Sequence, residues 1–267
     1  MMWWQSWWAR SDATRSELAC CFGGGAAFGV GFNLGVADAL RDAGWDIGGG
    51  PMLGSSAGAW TAAALACGTT LAGVLEAFRD SAGVGRELSL ADLARGVFGD
   101  AAHDHVSSVA YQLPSSSSPV PRRVVMRGTD HALADIVAAS SSVPGMVPPH
   151  HIGGRRYIDA AIFRACSADL AARADVLVCV VPTAGGVLGA VGRGYELGAR
   201  WEAQRWKLRT GGKVFFVCPD RHAVLVAGDG AQGLFDVDRA YDAYECAREQ
   251  TRTQLEHWDD TTAAWPL

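Results

Sequence analysis

The sequence predicts an α/β protein built on a mostly parallel sheet with helices on both faces. Three observations predict it. Short apolar runs alternate along the chain with stretches of helical apolar spacing. Two of those runs, 176–181 and 214–218, are valine-rich and bounded by turn residues, as buried parallel strands are. A third, 18–22, breaks directly into Gly23-Gly24-Gly25. With 267 residues, one large domain fits at least as well as two small ones. The expected division is a Trp-rich N-terminal segment, 1–17, followed by one domain over 18–267.

Taken in order, 18–22 reads as the first strand. Residues 34–43 carry helical spacing and stop at Gly44. A short apolar piece, 51–53, leads into Gly54-Ser55-Ser56-Ala57-Gly58, and the alanine-rich 59–67, ending at Gly68, reads as a buried helix. Another helix is expected over 74–81. The middle is less regular: 115–118, between Pro114 and Pro119, is expected to be a flexible surface loop. A strand is expected at 123–127, a helix at 132–139, and a brief strand, Tyr157-Ile158, before Asp159. Residues 196–208 form a helix between the two valine-rich strands, and 237–255 a long terminal helix.

Composition excludes several function classes. With 49% hydrophobic and 19% charged residues, the chain is globular, and a net charge of −5 argues against a nucleic-acid partner. No stretch reaches the roughly 20 apolar residues of a membrane span. Seven cysteines give no disulfide framework; Cys20, Cys179 and Cys218 lie in apolar runs, and a reducing, cytoplasmic setting is expected. Trp3, Trp4, Trp7 and Trp8 leave two readings. One is a peripheral membrane contact through the headgroup zone; the other is a segment packed on its own domain or a partner chain.

The five residues 54–58 match G-x-S-x-G between a strand and a helix. Such an elbow presents its serine, Ser56, at the sheet edge, with the N–H groups of the following helix near a developing oxyanion. The triple glycine exposes amides that suit an oxyanion hole or a phosphate nest. No P-loop is present, since no Gly-Lys-Ser or Gly-Lys-Thr follows. Gly29-x-Gly31-x-x-x-Gly35 matches a loose dinucleotide fingerprint and keeps a Rossmann-like oxidoreductase as an alternative. A Ser-His-Asp triad would need a late histidine, His222 first and His257 behind it, while His150-His151 falls in the wrong chain order. His103-x-His105 offers a weak metal pair. Asp159, among small residues after a short strand, could instead accept the Ser56 proton directly in a two-residue dyad.

Together these pieces resemble the patatin-like phospholipases. The family orders a glycine-rich oxyanion loop, a G-x-S-x-G elbow and an aspartate in a D-G-G or D-G-A motif, and this chain orders Gly23-Gly24-Gly25, Ser56 and Asp159. The run from Ala139-Ser140-Ser141-Ser142-Val143-Pro144 to Pro149 is similar to the family's segment before that aspartate, and 36–44 to its first helix. The resemblance spans roughly 18–182. It implies a three-layer α/β/α fold and a serine acyl hydrolase of the lipase, phospholipase A or lysophospholipase kind, working on lipid esters with no metal or organic cofactor. It casts Ser56 as nucleophile, Asp159 as its base, and Gly23, Gly24, Gly25 and Ala57 as the oxyanion hole. Two positions depart from the pattern. Ala26-Ala27-Phe28 stands where the family places a basic residue, and Ala160 stands where it places glycine. A catalytically silent lipid- or protein-binding relative is the alternative these departures motivate.

Overall fold

The computed structural model describes residues 16–82, 89–115 and 119–258. The four N-terminal tryptophans, and most of the loop expected at 115–118, lie outside the described residues. The eight strands are β1 (Ser16–Phe22), β2 (Met52–Gly54), β3 (Val106–Gln112), β4 (Arg122–Arg127), β5 (His150–Ile152), β6 (Arg155–Asp159), β7 (Ala174–Val180) and β8 (Lys213–Val217). The helices are α1 (Ala26–Asp42), α2 (Ala57–Cys67), α3 (Leu71–Ala82), α4 (Leu90–Phe98), α5 (Leu133–Ser141), α6 (Ala190–Thr210), α7 (Arg221–Ala227) and α8 (Val237–Glu256).

The strands form one sheet in the order β5-β6-β3-β2-β1-β7-β8, with β4 also on β3. The stretch β3-β2-β1-β7-β8 is parallel, and β4, β5 and β6 add antiparallel pairs. This is the expected three-layer α/β architecture. Side chains alternate across the sheet. Cys20, Phe22, Met52, Val178 and Phe215 join one apolar cluster, built with α1, α2, α4, α5, α7 and α8. Ala19, Cys21, Leu53, Leu177 and Cys179 join the other, closed by α6 and the segment 160–171. The layers are therefore unequal: most helices cover one face, and α6 alone crosses the other.

Helix α1 starts at Ala26, well before the expected residue 34, because the glycines at 29, 31 and 35 pack instead of looping. A Cβ at Gly31 or Gly35 would run into the carbonyl oxygens of Ala240 or Tyr244 on α8. The loose dinucleotide fingerprint is thus a close helix–helix contact. Its glycines therefore lie inside α1 and not in the β1-to-α1 turn, and β2 ends in the elbow where a Rossmann fold needs a ribose-binding acid. Strands β3 and β5 and helices α4 and α7 carry no sequence signal strong enough to predict them; β3 reads Val-Ser-Ser-Val-Ala-Tyr-Gln. All seven cysteines are free. Cys20 and Cys179 are fully buried and Cys218 partly so. No described helix is long and apolar enough to cross a membrane.

Candidate active site

Ser56 turns the chain from β2 into α2 with φ 53° and ψ −120°, a conformation L-residues rarely hold. Holding it costs on the order of 1–3 kcal/mol, so neighbours must over-determine it. Both elbow glycines are required by close approach: a Cβ at Gly54 would strike the Gly58 carbonyl oxygen, and one at Gly58 the carbonyl oxygen of Phe22. Ser55 N–H donates to Phe22 O at 3.0 Å. Ser56 N–H donates to Ser140 Oγ at 2.9 Å, and the Ser140 hydroxyl donates on to Val109 O at 2.7 Å. One buried serine thereby ties the elbow to β3.

Sheet topology explains how Asp159 reaches Ser56 across a hundred residues of sequence. Strand β4 pairs with β3 along 107–112, so β2 and β6 must both lie on the opposite edge of β3. They enter from opposite ends. Strand β2 finishes with Gly54 opposite Ser108, and β6 finishes with Asp159 opposite Ala110. The two C-termini meet head to head at the middle of one strand. There the Asp159 carboxylate accepts a hydrogen bond from Ala161 N–H at 2.6 Å and lies beside the Ser56 hydroxyl, whose hydrogen-bonding influence lowers its pKa. Asp159 N–H donates to Ser142 O at 2.9 Å.

Asp159 is 1% exposed. Burial pushes its pKa up to about 7, and the hydrogen bonds from Ser56 and Ala161 offset only part of that rise. Ala160, at the position where the resembled motif has glycine, is fully buried and has no positive φ, so its methyl fits without backbone strain.

The triple glycine divides its amides. Gly23 N–H donates to Val180 O at 2.8 Å and Gly24 N–H to Ala165 O at 3.0 Å, so these two of the four expected oxyanion donors already hold the loop to β7 and to the segment after Asp159. Gly24 lies against Ala161 and Ser56 instead: a Cβ there would sit 2.6 Å from the Ala161 Cβ and 3.4 Å from that of Ser56. Gly25 and Ala26 both have positive φ, 145° and 50°, and turn the loop straight into α1. Ala26 and Ala57 open their helices, where N–H groups have no intrahelical carbonyl. Gly25 N–H has no backbone partner among the described residues. Gly25, Ala26 and Ala57 all line the same cavity as Ser56 and Asp159.

That cavity holds about 640 Å³ and is lined mainly by apolar side chains, among them Val30, Trp60, Phe78, Leu93, Ile162 and Leu234. Trp60 is fixed by Nε1 donating to Ser141 Oγ at 3.2 Å and by an edge contact with Phe78. Tyr195 borders the cavity with its hydroxyl donating to Ile162 O at 3.0 Å; burial and the nearby Asp159 charge raise its pKa. None of the seven histidines lines it. His222 lies exposed on α7 beside Cys246, and His257 ends α8. His150 pairs with Asp135 at 3.3 Å. His103, Asp104 and His105 bring one ligand atom each within 4.8 Å, just before β3 begins and so beyond the end of the strand where β2 starts. Sequence reasoning missed Ser140, Ser142 and Ala26; three successive serines closing α5 were the available signal for the first two.

Residues 83–172 match the family model described as patatin-like phospholipase. The resemblance to the patatin-like phospholipases is thus shown. The matched stretch holds Asp159 and the serines of α5, while the elbow and glycine loop precede it. Among solved structures, VipD from Legionella pneumophila is similar over 89% of this chain and 67% of its own, at 12% identity and a TM-score of 0.39. No curated protein sequence matches the chain.

Proposed function

We propose that this chain is a lipid acyl hydrolase in which Ser56 and Asp159 form the catalytic dyad. The observation that carries the reading is the juxtaposition of the Ser56 hydroxyl and the buried Asp159 carboxylate, brought together by the strand register at the wall of an apolar cavity. Ionised Asp159 takes the hydroxyl proton as Ser56 Oγ attacks the ester carbonyl. The amides of Gly25 and Ala57, with Ala26 beside them, stabilise the oxyanion; their orientation is set by strained backbone and costs no reorganisation during reaction. Asp159 returns the proton to the departing alcohol. Water then cleaves the acyl-enzyme by the same steps, with Asp159 as base. The apolar lining takes the acyl chain, so the substrate is a carboxylic ester of a lipid, and none of these steps calls for a metal or organic cofactor.

Labelling with a fluorophosphonate probe, followed by an ester chain-length panel, tests this reading. Wild type should label, Ser56→Ala should not, and Asp159→Asn should abolish turnover while His222→Ala leaves it intact. A folded wild type that neither labels nor turns over any ester would leave the patatin-like domain as a lipid-binding module.

A further inference from the structure

Single exposed apolar residues are ordinary on any protein surface, whereas convergent ones mark an interaction face. Met146, Phe163, Val191, Leu225 and Phe235 are all exposed, Leu225 at 77%. They come from distant segments: the turn after α5, the turn after β6, the first turn of α6, helix α7 and the short turn before α8. Met146 and Phe235 belong to the wall of the cavity that holds Ser56. Val191 and Leu225 belong to a neighbouring hollow of about 750 Å³, and Leu188 belongs to both. Leu188 therefore joins the exposed apolar residues of the outer hollow to the cavity that holds Ser56 and Asp159.

We propose that this rim docks the protein on a lipid surface, with acyl chains passing over Met146 and Phe235 to reach Ser56. The passage to Ser56 and the delivery of substrate rest on the hydrolase reading; the charge argument for docking does not. A protein partner or second copy seated here would cover the mouth of the cavity, whereas a lipid surface delivers substrate through it. Charge favours the same occupant. In the walls of the two hollows the charged residues are Arg79, Asp159 and Asp229, and Arg79 is paired with Asp238. The hollow walls can meet acyl chains with little unpaired charge to desolvate, and docking through them needs neither anionic lipid nor low salt.

The test uses the full chain carrying Ser56→Ala, floated with uncharged phosphatidylcholine vesicles. It should float with them at both low and high salt. Adding Val191→Ser and Leu225→Ser should weaken vesicle partitioning at least tenfold. With Ser56 restored, the same pair should slow hydrolysis of a vesicle-borne ester by a similar factor. Turnover of a short soluble ester should stay unchanged, which also reports that the fold is intact. The proposal is overturned if the parent does not float or if the double variant floats as well as the parent. It is also overturned if serine at Trp3, Trp4, Trp7 and Trp8 abolishes binding while the rim pair does not. A concentration-dependent dimer that the rim pair dissolves, without vesicle binding, would make the face a self-interface. Flotation with no turnover of the soluble ester would instead sink the hydrolase reading and leave docking standing.

Discussion

Ser56 and Asp159 are both held by the end of α5, where Ser140 takes the Ser56 N–H and the Ser142 carbonyl takes the Asp159 N–H. Ser140→Ala would leave two buried backbone groups, Ser56 N–H and Val109 O, without their partner, at a cost of roughly 1–3 kcal/mol. The larger effect should be on rate, since the strained elbow loses its tie to β3. A loss of about tenfold or more in kcat, with KM and the pH profile unchanged, is the expected signature of a positioning residue. A fall in thermal stability with full kcat would argue against it. The pKa of Asp159, pushed up by burial to about 7, makes a second prediction. Activity should rise with pH through about 7 as the base ionises. Stability should move oppositely. Asp159 and Glu202, the latter raised by burial to about 8, bind protons in the folded chain that the unfolded chain releases near pH 4 to 5. Their contribution is whole below the ordinary carboxylate range and is lost as pH rises through 7 and 8. Asp159→Asn should therefore be inactive yet more stable than wild type above pH 7, by on the order of 2–4 kcal/mol. Urea unfolding at pH 5 and pH 8 checks the sign.

Between strands, the segment 160–171 links Asp159 to the glycine loop, because Ala165 O holds Gly24 N–H. Arg123 on β4 anchors that segment through a bidentate pair with Asp169, at 3.0 and 2.7 Å, and a bond to Ser167 Oγ at 3.2 Å. Arg123→Ala should cost about 3 kcal/mol or more, since it strands the nearly buried Asp169, and labelling of Ser56 should fall further than stability alone explains. Unimpaired labelling at equal folded fraction would contradict the link. The same elements show what sequence could carry. The elbow was legible because its five residues are contiguous, although only Gly54 answers a contact within the turn and Gly58 answers the Phe22 carbonyl on β1. Strands β7 and β8 were legible because burial on both faces writes an unbroken valine-rich run. Strand β3 was not, since its serines serve partners far away: Ser108 Oγ donates to Ile136 O. Nor could sequence say which glycine amides stay open, because Val180 and Ala165, distant in the chain, consume those of Gly23 and Gly24.

At the scale of the molecule, the unequal layers divide stability between the two faces of the sheet. On the first face α1 packs along α8 so closely that glycine is required at 31 and 35, and Phe28, Phe32 and Leu40 are fully buried beneath it. On the second face α6 lies alone over small side chains, Ala19, Ala160 and Ala168 among them, with Trp206 as its one large buried anchor. Trp206 Nε1 donates to Ala172 O at 2.9 Å, so the anchor also fastens the end of the segment that follows Asp159. Local opening follows the least buried apolar area, which places α6 and 160–171 together as one weak cooperative unit. Hydrogen exchange should therefore release the amides of 160–171 and 190–210 well before those of α1 and α8. Trp206→Ala should widen that gap by removing the indole at roughly 3–5 kcal/mol. Exchange that is uniform across both faces, or a Trp206 variant that loosens α1 and α8 equally, would contradict the division. Because the weak unit carries the turn that sets Asp159 and grips Gly24, its opening disassembles the site before the sheet unfolds. Loss of probe labelling should accordingly precede the main unfolding transition in urea, and in the Trp206 variant the interval should be longer.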